Sequence, residues 1–119
     1  MPITTRRIYE DPSKDDGLRI LVDGIWPRGV SKGKAQLDEW LKSVAPSKEL
    51  RQWFNHENDK FEEFERLYTK ELENDQKKQE GFQTLKEYAQ DQKVTILFGS
   101  KETTYNHANV LARLLKENR

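Results

Sequence analysis

Asp23, Trp26, Arg28 and Lys32 fall within one ten-residue stretch, DGIWPRGVSK, directly behind the apolar run LRILV at Leu18–Val22. A carboxylate just past a buried strand is positioned by the strand and exposed by the loop. That suits a general acid or base or a hydroxyl-binding group, and equally a loop Asp that receives backbone amides ahead of Gly24. Arg28 stands between Pro27, which restricts the backbone, and Gly29, which permits a sharp turn. A guanidinium displayed there takes a carboxylate or phosphate through two parallel hydrogen bonds, or pairs internally with Asp23. Trp26 offers a face for stacking on a planar ligand or joins the core, while Lys32 adds positive potential or is merely solvated.

A second polar segment, GSKETTYNHA at residues 99–108, follows another apolar run. Ser100 and Lys101 precede a helix whose free N–H groups can receive an anion, and Asn106 and His107 fall in its first turn. An ordinary capped helix accounts for the same residues, and neither the spacing nor the ending is that of a P-loop. His107, which falls near the expected pocket, is the better proton-transfer candidate of the two histidines, the other being His56. Ser100, His107 and Asp23 are the types of a nucleophilic triad, but no nucleophile elbow accompanies them. With two His, no Cys and no HExxH spacing, no metal site and no cofactor are expected.

The elements that must position these residues are legible in outline. ITTRRIY at residues 3–9 alternates as a strand, Leu18–Val22 is a short buried strand, and VTILFGS at Val94–Ser100 is a β-branched, almost wholly apolar one. Leu37, Trp40, Leu41 and Val44 recur at helical spacing, and APS at 45–47 ends that pattern while offering Ser47 as N-cap for KELRQWF. Phe61, Phe64, Tyr68 and Leu72 mark an amphipathic helix; Phe82, Leu85, Tyr88 and Ala89 mark another after Gly81; Tyr105–Leu115 closes the chain as a helix. Strands separated by helices predict a single α/β domain over residues 1–119, with a small, at least partly parallel sheet. In such sheets ligands bind beyond the carboxyl ends of the strands, which is where both polar loops leave.

Composition narrows the partners. Lys plus Arg and Asp plus Glu are each 21, so nothing global favours nucleic acid or an anionic membrane. Charge is local: Arg28–Arg51 holds six basic residues against three acidic, and Glu57–Asp75 eight acidic against three basic, as solvated helix faces also do. Without cysteine there is no thiolate nucleophile or disulfide. The apolar runs are too short for a bilayer, and MPITTRRIYE lacks the apolar region of a signal peptide, so the expected location is cytoplasmic.

Four blocks, DDGLRILVDGIWPRGVSK, LDEWLKSVAPSKELRQWFNH, FEEFERLYTKEL and VTILFGSKETTYNHANVL, together resemble the YeaO-like bacterial family, domain of unknown function 488, over nearly the whole chain. The resemblance implies a small intracellular α/β protein without an established reaction. It also implies a layout in which a strand ends in an Asp- and Arg-bearing loop and the last strand leads into a short polar segment with a His at the start of the closing helix, which falls on Asp23, Arg28 and His107. Gly24 stands where the family usually has a basic residue, and Glu102 where Asp is usual.

The expected site therefore has two walls: Asp23, Trp26, Arg28 and Lys32 on one, Ser100, Lys101, Asn106 and His107 on the other. Its expected occupant is a small anionic ligand with a planar group, nucleotide-like or phosphate-bearing, bound with or without hydrolysis. A hydrolase or glycosidase would use Asp23 or His107 for protons and Arg28 for the anion. The alternative is a protein or nucleic-acid interaction module built on the basic stretch 28–51.

Overall fold

The computed structural model describes residues 2–117. In chain order the elements are β1 (Ile3–Arg7), β2 (Leu18–Leu21), α1 (Lys32–Ala35), β3 (Glu39–Trp40), α2 (Lys48–Phe54), α3 (Phe61–Asn74), α4 (Gln76–Asp91), β4 (Val94–Phe98) and α5 (His107–Glu117). The strands form one sheet in the order β1-β4-β2-β3, and every pairing is parallel. A parallel sheet is covered on both faces, which is why β4, at its centre, reads as a continuous apolar run and has all five residues buried.

Side chains alternate across the sheet and divide the core in two. Ile20, Val22, Val94, Ile96 and Phe98 pack with α2, α3, α4 and α5 in the larger cluster. Leu21 and Leu97 point the other way, against Ile8, Val30, Ala35 and the partly buried Trp26 and Trp40. Much of DGIWPRGVSK thus folds back as the cover of the second face.

Leu37–Val44 is not a helix. Residues 39–40 form the short edge strand β3, and Lys42–Val44 a single 3-10 turn. The segment runs beside β2 because Asp38 N donates to Arg19 O at 2.9 Å and Leu41 N to Leu21 O at 2.9 Å, while Arg19 N donates to the Asp38 carboxylate. Pairing with β2 overrides a helical spacing that four residues produce by coincidence. Likewise, the helix expected after Gly81 begins at Gln76, capped by Asp75. Gly81 lies inside it because a Cβ there would meet Val44 Cγ1 at 2.5 Å and Ser43 Oγ at 2.8 Å. Ser47 does cap α2, receiving Leu50 N at 3.1 Å, and is clasped by Glu71 of α3 through its amide (2.9 Å) and hydroxyl (2.5 Å). The last helix starts at His107 rather than Tyr105. No described helix is long and apolar enough to cross a membrane.

The second face also holds a buried ionic cluster. Asp16 and Arg19 are 4% and 5% exposed and meet at 2.5 Å; Arg6 adds a second guanidinium at 2.9 Å and Ser13 N a donor at 3.0 Å. Arg19 also donates to Ala35 O and Gln36 O, so it holds the carbonyl end of α1 onto the sheet. Burial pushes the Asp16 carboxyl pKa up, but the Ser13 amide and the guanidiniums of Arg6 and Arg19 outweigh it and leave it below the ordinary value. Asp16→Asn strands Arg19 without a counter-charge and is expected to cost about 3–5 kcal/mol in denaturant unfolding at neutral pH. Because folding lowers this pKa, the stabilisation is complete above the unfolded value of ~3.9 and is lost as pH falls through the folded one. The acid-side decline of the wild type is therefore expected to be steeper than that of the Asn variant.

Candidate functional site

Asp23 lies two residues beyond β2, and Gly99 one residue beyond β4. Since Leu21 pairs with Leu97 and Val22 N donates to Leu97 O at 3.1 Å, the two positions meet at the carboxyl ends of adjacent strands. Gly99 N donates to Asp23 Oδ2 at 2.8 Å. A Cβ on residue 99 would sit 3.0 Å from that oxygen, so glycine is what lets the carboxylate approach. Trp40 Nε1 fixes the backbone of the same residue through Asp23 O at 2.6 Å.

The second oxygen, Oδ1, faces His107 Nε2 at 3.0 Å. Both atoms are shielded from solvent, and neither has a hydrogen bond, so the contact is electrostatic and strongest when the imidazole is protonated. With Nε2 turned to Asp23, Nδ1 is the ring nitrogen left for a ligand. Tyr68 meets the His107 ring edge-on, centroids 6.4 Å apart, and its buried hydroxyl donates to Val44 O. Burial, then the charges of Glu71 and Asp23, raise the Tyr68 pKa well above its ordinary value, so the phenol is neutral throughout the physiological range.

Asp23 and His107 border a cavity of about 260 Å³. One side is apolar, formed by Ala45, Pro46, Phe54 and Phe64, the two phenyl rings stacked with centroids 4.4 Å apart. Asp23, Ser100 and His107 form the polar side, and Arg51, His56 and Tyr105 are also part of the lining. His56 reaches the cavity through an unusual turn: Asn55 (φ 47°) ends α2 in the left-handed region, and His56 (φ 56°) follows it there. Asn tolerates that conformation, whereas His is held in it at a cost of roughly 1–2 kcal/mol.

Of the residues expected at the site, the structure brings Asp23, Ser100, Asn106 and His107 to this cavity. Asn106 is occupied there by the fold: its Oδ1 caps α5 by receiving Asn109 N at 2.9 Å, and its Nδ2 donates to Glu102 O at 2.8 Å. Lys101 lines an adjoining depression. Trp26, Arg28 and Lys32 do not line the cavity. Trp26 donates to Val30 O at 2.7 Å and packs edge-on against Trp40, as a core residue. Arg28 is exposed, its carbonyl receiving Tyr9 Oη at 2.9 Å, and Asp23 is paired with His107 instead of with it. Lys32 is exposed at the start of α1. The cation of the cavity is Arg51, and His56 shares the cavity with His107; neither was singled out by sequence. The local signal goes only as far as the Ser47 cap, which sets the phase of a short helix on which Arg51 and Phe54, three residues apart, share a face; where that helix lies is not a local property. Among the described residues, no group of three or more His, Asp or Glu is placed to hold a metal ion.

A family model described as the inactive DUF488-N3 subclade matches residues 2–119. The chain belongs to that subclade. It is 44% identical over 116 residues to the uncharacterized protein YeaO of Escherichia coli, an alignment covering 98% of each chain. Uncharacterized proteins of Mycobacterium tuberculosis and Mycobacterium bovis are 40% identical over 113 residues, 95% of this chain and 92% of theirs. No solved structure matches the chain significantly. Membership in the DUF488-N3 subclade agrees with the resemblance carried by the WPRG and NHA blocks.

Gly99→Ala forces the Asp23 carboxylate away from the strand end. It is expected to lower stability by about 1–3 kcal/mol in chemical denaturation. In two-dimensional NMR it should move the His107 ring resonances while leaving those of His56 in place.

Proposed function

We propose that the cavity at the strand ends binds a small ligand with a planar or apolar body and an anionic end, nucleotide-like or phosphate-bearing, without turning it over. The observation that carries this reading is the asymmetry of satisfied charge. One oxygen of the Asp23 carboxylate receives Gly99 N and the other is set 3.0 Å from His107 Nε2, inside the protein. Among the described residues, the Arg51 and His56 side chains have no hydrogen-bond or ion-pair partner in the protein. What the cavity offers an incoming molecule is thus a stacked phenyl wall and unpaired donors, a combination suited to a flat body with negative charge at one end. Binding without turnover is supported by the description of the subclade as inactive.

Hydrolysis is the second reading, favoured by one observation: a carboxylate set against an imidazole at strand ends is an arrangement used for proton transfer. The interaction-module reading has only the local positive charge of residues 28–51 behind it.

Isothermal titration with nucleoside monophosphates and aromatic carboxylates tests the assignment. At least one is expected to bind the wild type, with Arg51→Ala weakening it on the order of ten- to a hundredfold, the size of a hydrogen bond to a charged group. As Arg51 is exposed, its loss should leave the unfolding midpoint nearly unchanged. Release of base or phosphate on prolonged incubation would move the assignment to hydrolysis. Failure of every compound to bind, with salt-sensitive capture of a DNA oligonucleotide, would move it to the basic stretch.

A further inference from the structure

The cavity does not end at its rim. His56 and Ser100 line it, and the same two residues line an open depression completed by Lys101 and Glu102, so the two hollows adjoin along a His56–Ser100 edge. The inner hollow, about 260 Å³, lies below the roughly 300–1,000 Å³ of sites that enclose a whole drug-sized ligand. It accommodates the head of a nucleotide-like molecule and leaves the remainder outside.

The chemistry of the outer hollow fits that remainder. Glu102 brings a carboxylate, but both oxygens are turned to the chain's own donors: Oε2 receives Thr104 N at 2.9 Å and Tyr105 N at 3.2 Å, and Oε1 receives Asn58 Nδ2 at 3.1 Å. These hydrogen bonds, the backbone ones first, hold its pKa below the ordinary carboxyl value, so it does not offer a proton. Ser100 Oγ accepts Glu102 N at 3.1 Å, which leaves the hydroxyl proton to donate. Lys101 Nζ and the His56 ring have no protein partner among the described residues. The segment is also preorganised, since Arg7 holds the carbonyls of Ser100 (2.9 Å) and Gly99 (3.4 Å) from β1. Three donors of separate origin around one hollow suit the several oxygens of a phosphate better than the two coplanar oxygens of a carboxylate.

We infer that the outer hollow is a phosphate subsite, formed by His56, Ser100 and Lys101, and that the ligand is an elongated phosphate monoester whose flat head lies against Phe54 and Phe64. This rests on the binding function proposed above and adds to it where the phosphate lies and how far the ligand extends.

The test compares adenosine 5′-monophosphate and uridine 5′-monophosphate with their parent nucleosides and with inorganic phosphate, by isothermal titration on the full chain. At least one monophosphate is expected to bind tenfold or more tightly than its nucleoside. Lys101→Ala, which lies outside the inner hollow, should remove most of that difference while leaving nucleoside affinity unchanged. Unchanged nucleoside affinity shows that the inner hollow has survived. Equal affinity of nucleoside and monophosphate in the wild type would overturn the subsite while the inner-cavity reading stands. A monophosphate preference that persists undiminished in Lys101→Ala would overturn it too. Absence of binding by all five probes would overturn both.

Discussion

The Asp23 carboxylate joins three parts of the chain that are distant in sequence: the end of β2 that carries it, the first amide beyond β4, and the imidazole that opens α5. Each contact constrains the others. The Gly99 hydrogen bond fixes one oxygen; the second then has only one direction to face, and α5 supplies the group that meets it. The loop between Gly99 and His107 is bound to itself through Glu102, Asn106 and Asn109, so the helix start has little freedom to adjust. A mouth at the strand ends, with His107 turned inward by Nε2, follows from this one anchored side chain.

The parallel sheet explains why the anchor sits there. Parallel strands present their carboxyl ends together, and the connections that leave them must turn back over one face or the other. The connection from β2 covers the second face with Trp26, Val30 and α1. The connection from β4 leads directly into α5. Between them a hollow remains, closed on its apolar side by Phe54 and Phe64.

Much of this was readable from residue types, and what was not has physical causes. The buried strands showed as apolar runs, α3 as a stripe of Phe64, Tyr68 and Leu72, and α2 by its Ser47 cap. Asp23 and His107 were legible as candidates because Asp23 leaves a strand end and His107 opens the helix that follows the last strand. Arg28 and Arg51 were not separable locally: both are exposed arginines in one basic stretch, and only the return of α2 to the strand ends gives Arg51 the cavity. Trp26 illustrates the same limit, since an aromatic in a polar loop reads as a ligand contact until its indole is found capping Val30 O. β3 was hidden because two paired residues leave no periodicity to detect. His56 depends on two successive left-handed residues, which residue types do not announce.

The wall that carries Arg51 and Phe54 has a particular weakness. At seven residues, α2 is shorter than a helix that persists in water unaided, and it is held at its start by the Ser47–Glu71 clasp and at its end by the left-handed turn. Between those ends only Leu50 and Phe54 are buried in the core, and few buried apolar contacts mark the less stable parts of a fold. One wall of the cavity is thus attached more sparsely than the sheet that carries the other, and under the proposed binding role the capture of an occupant and the ordering of this short helix would be one coupled equilibrium.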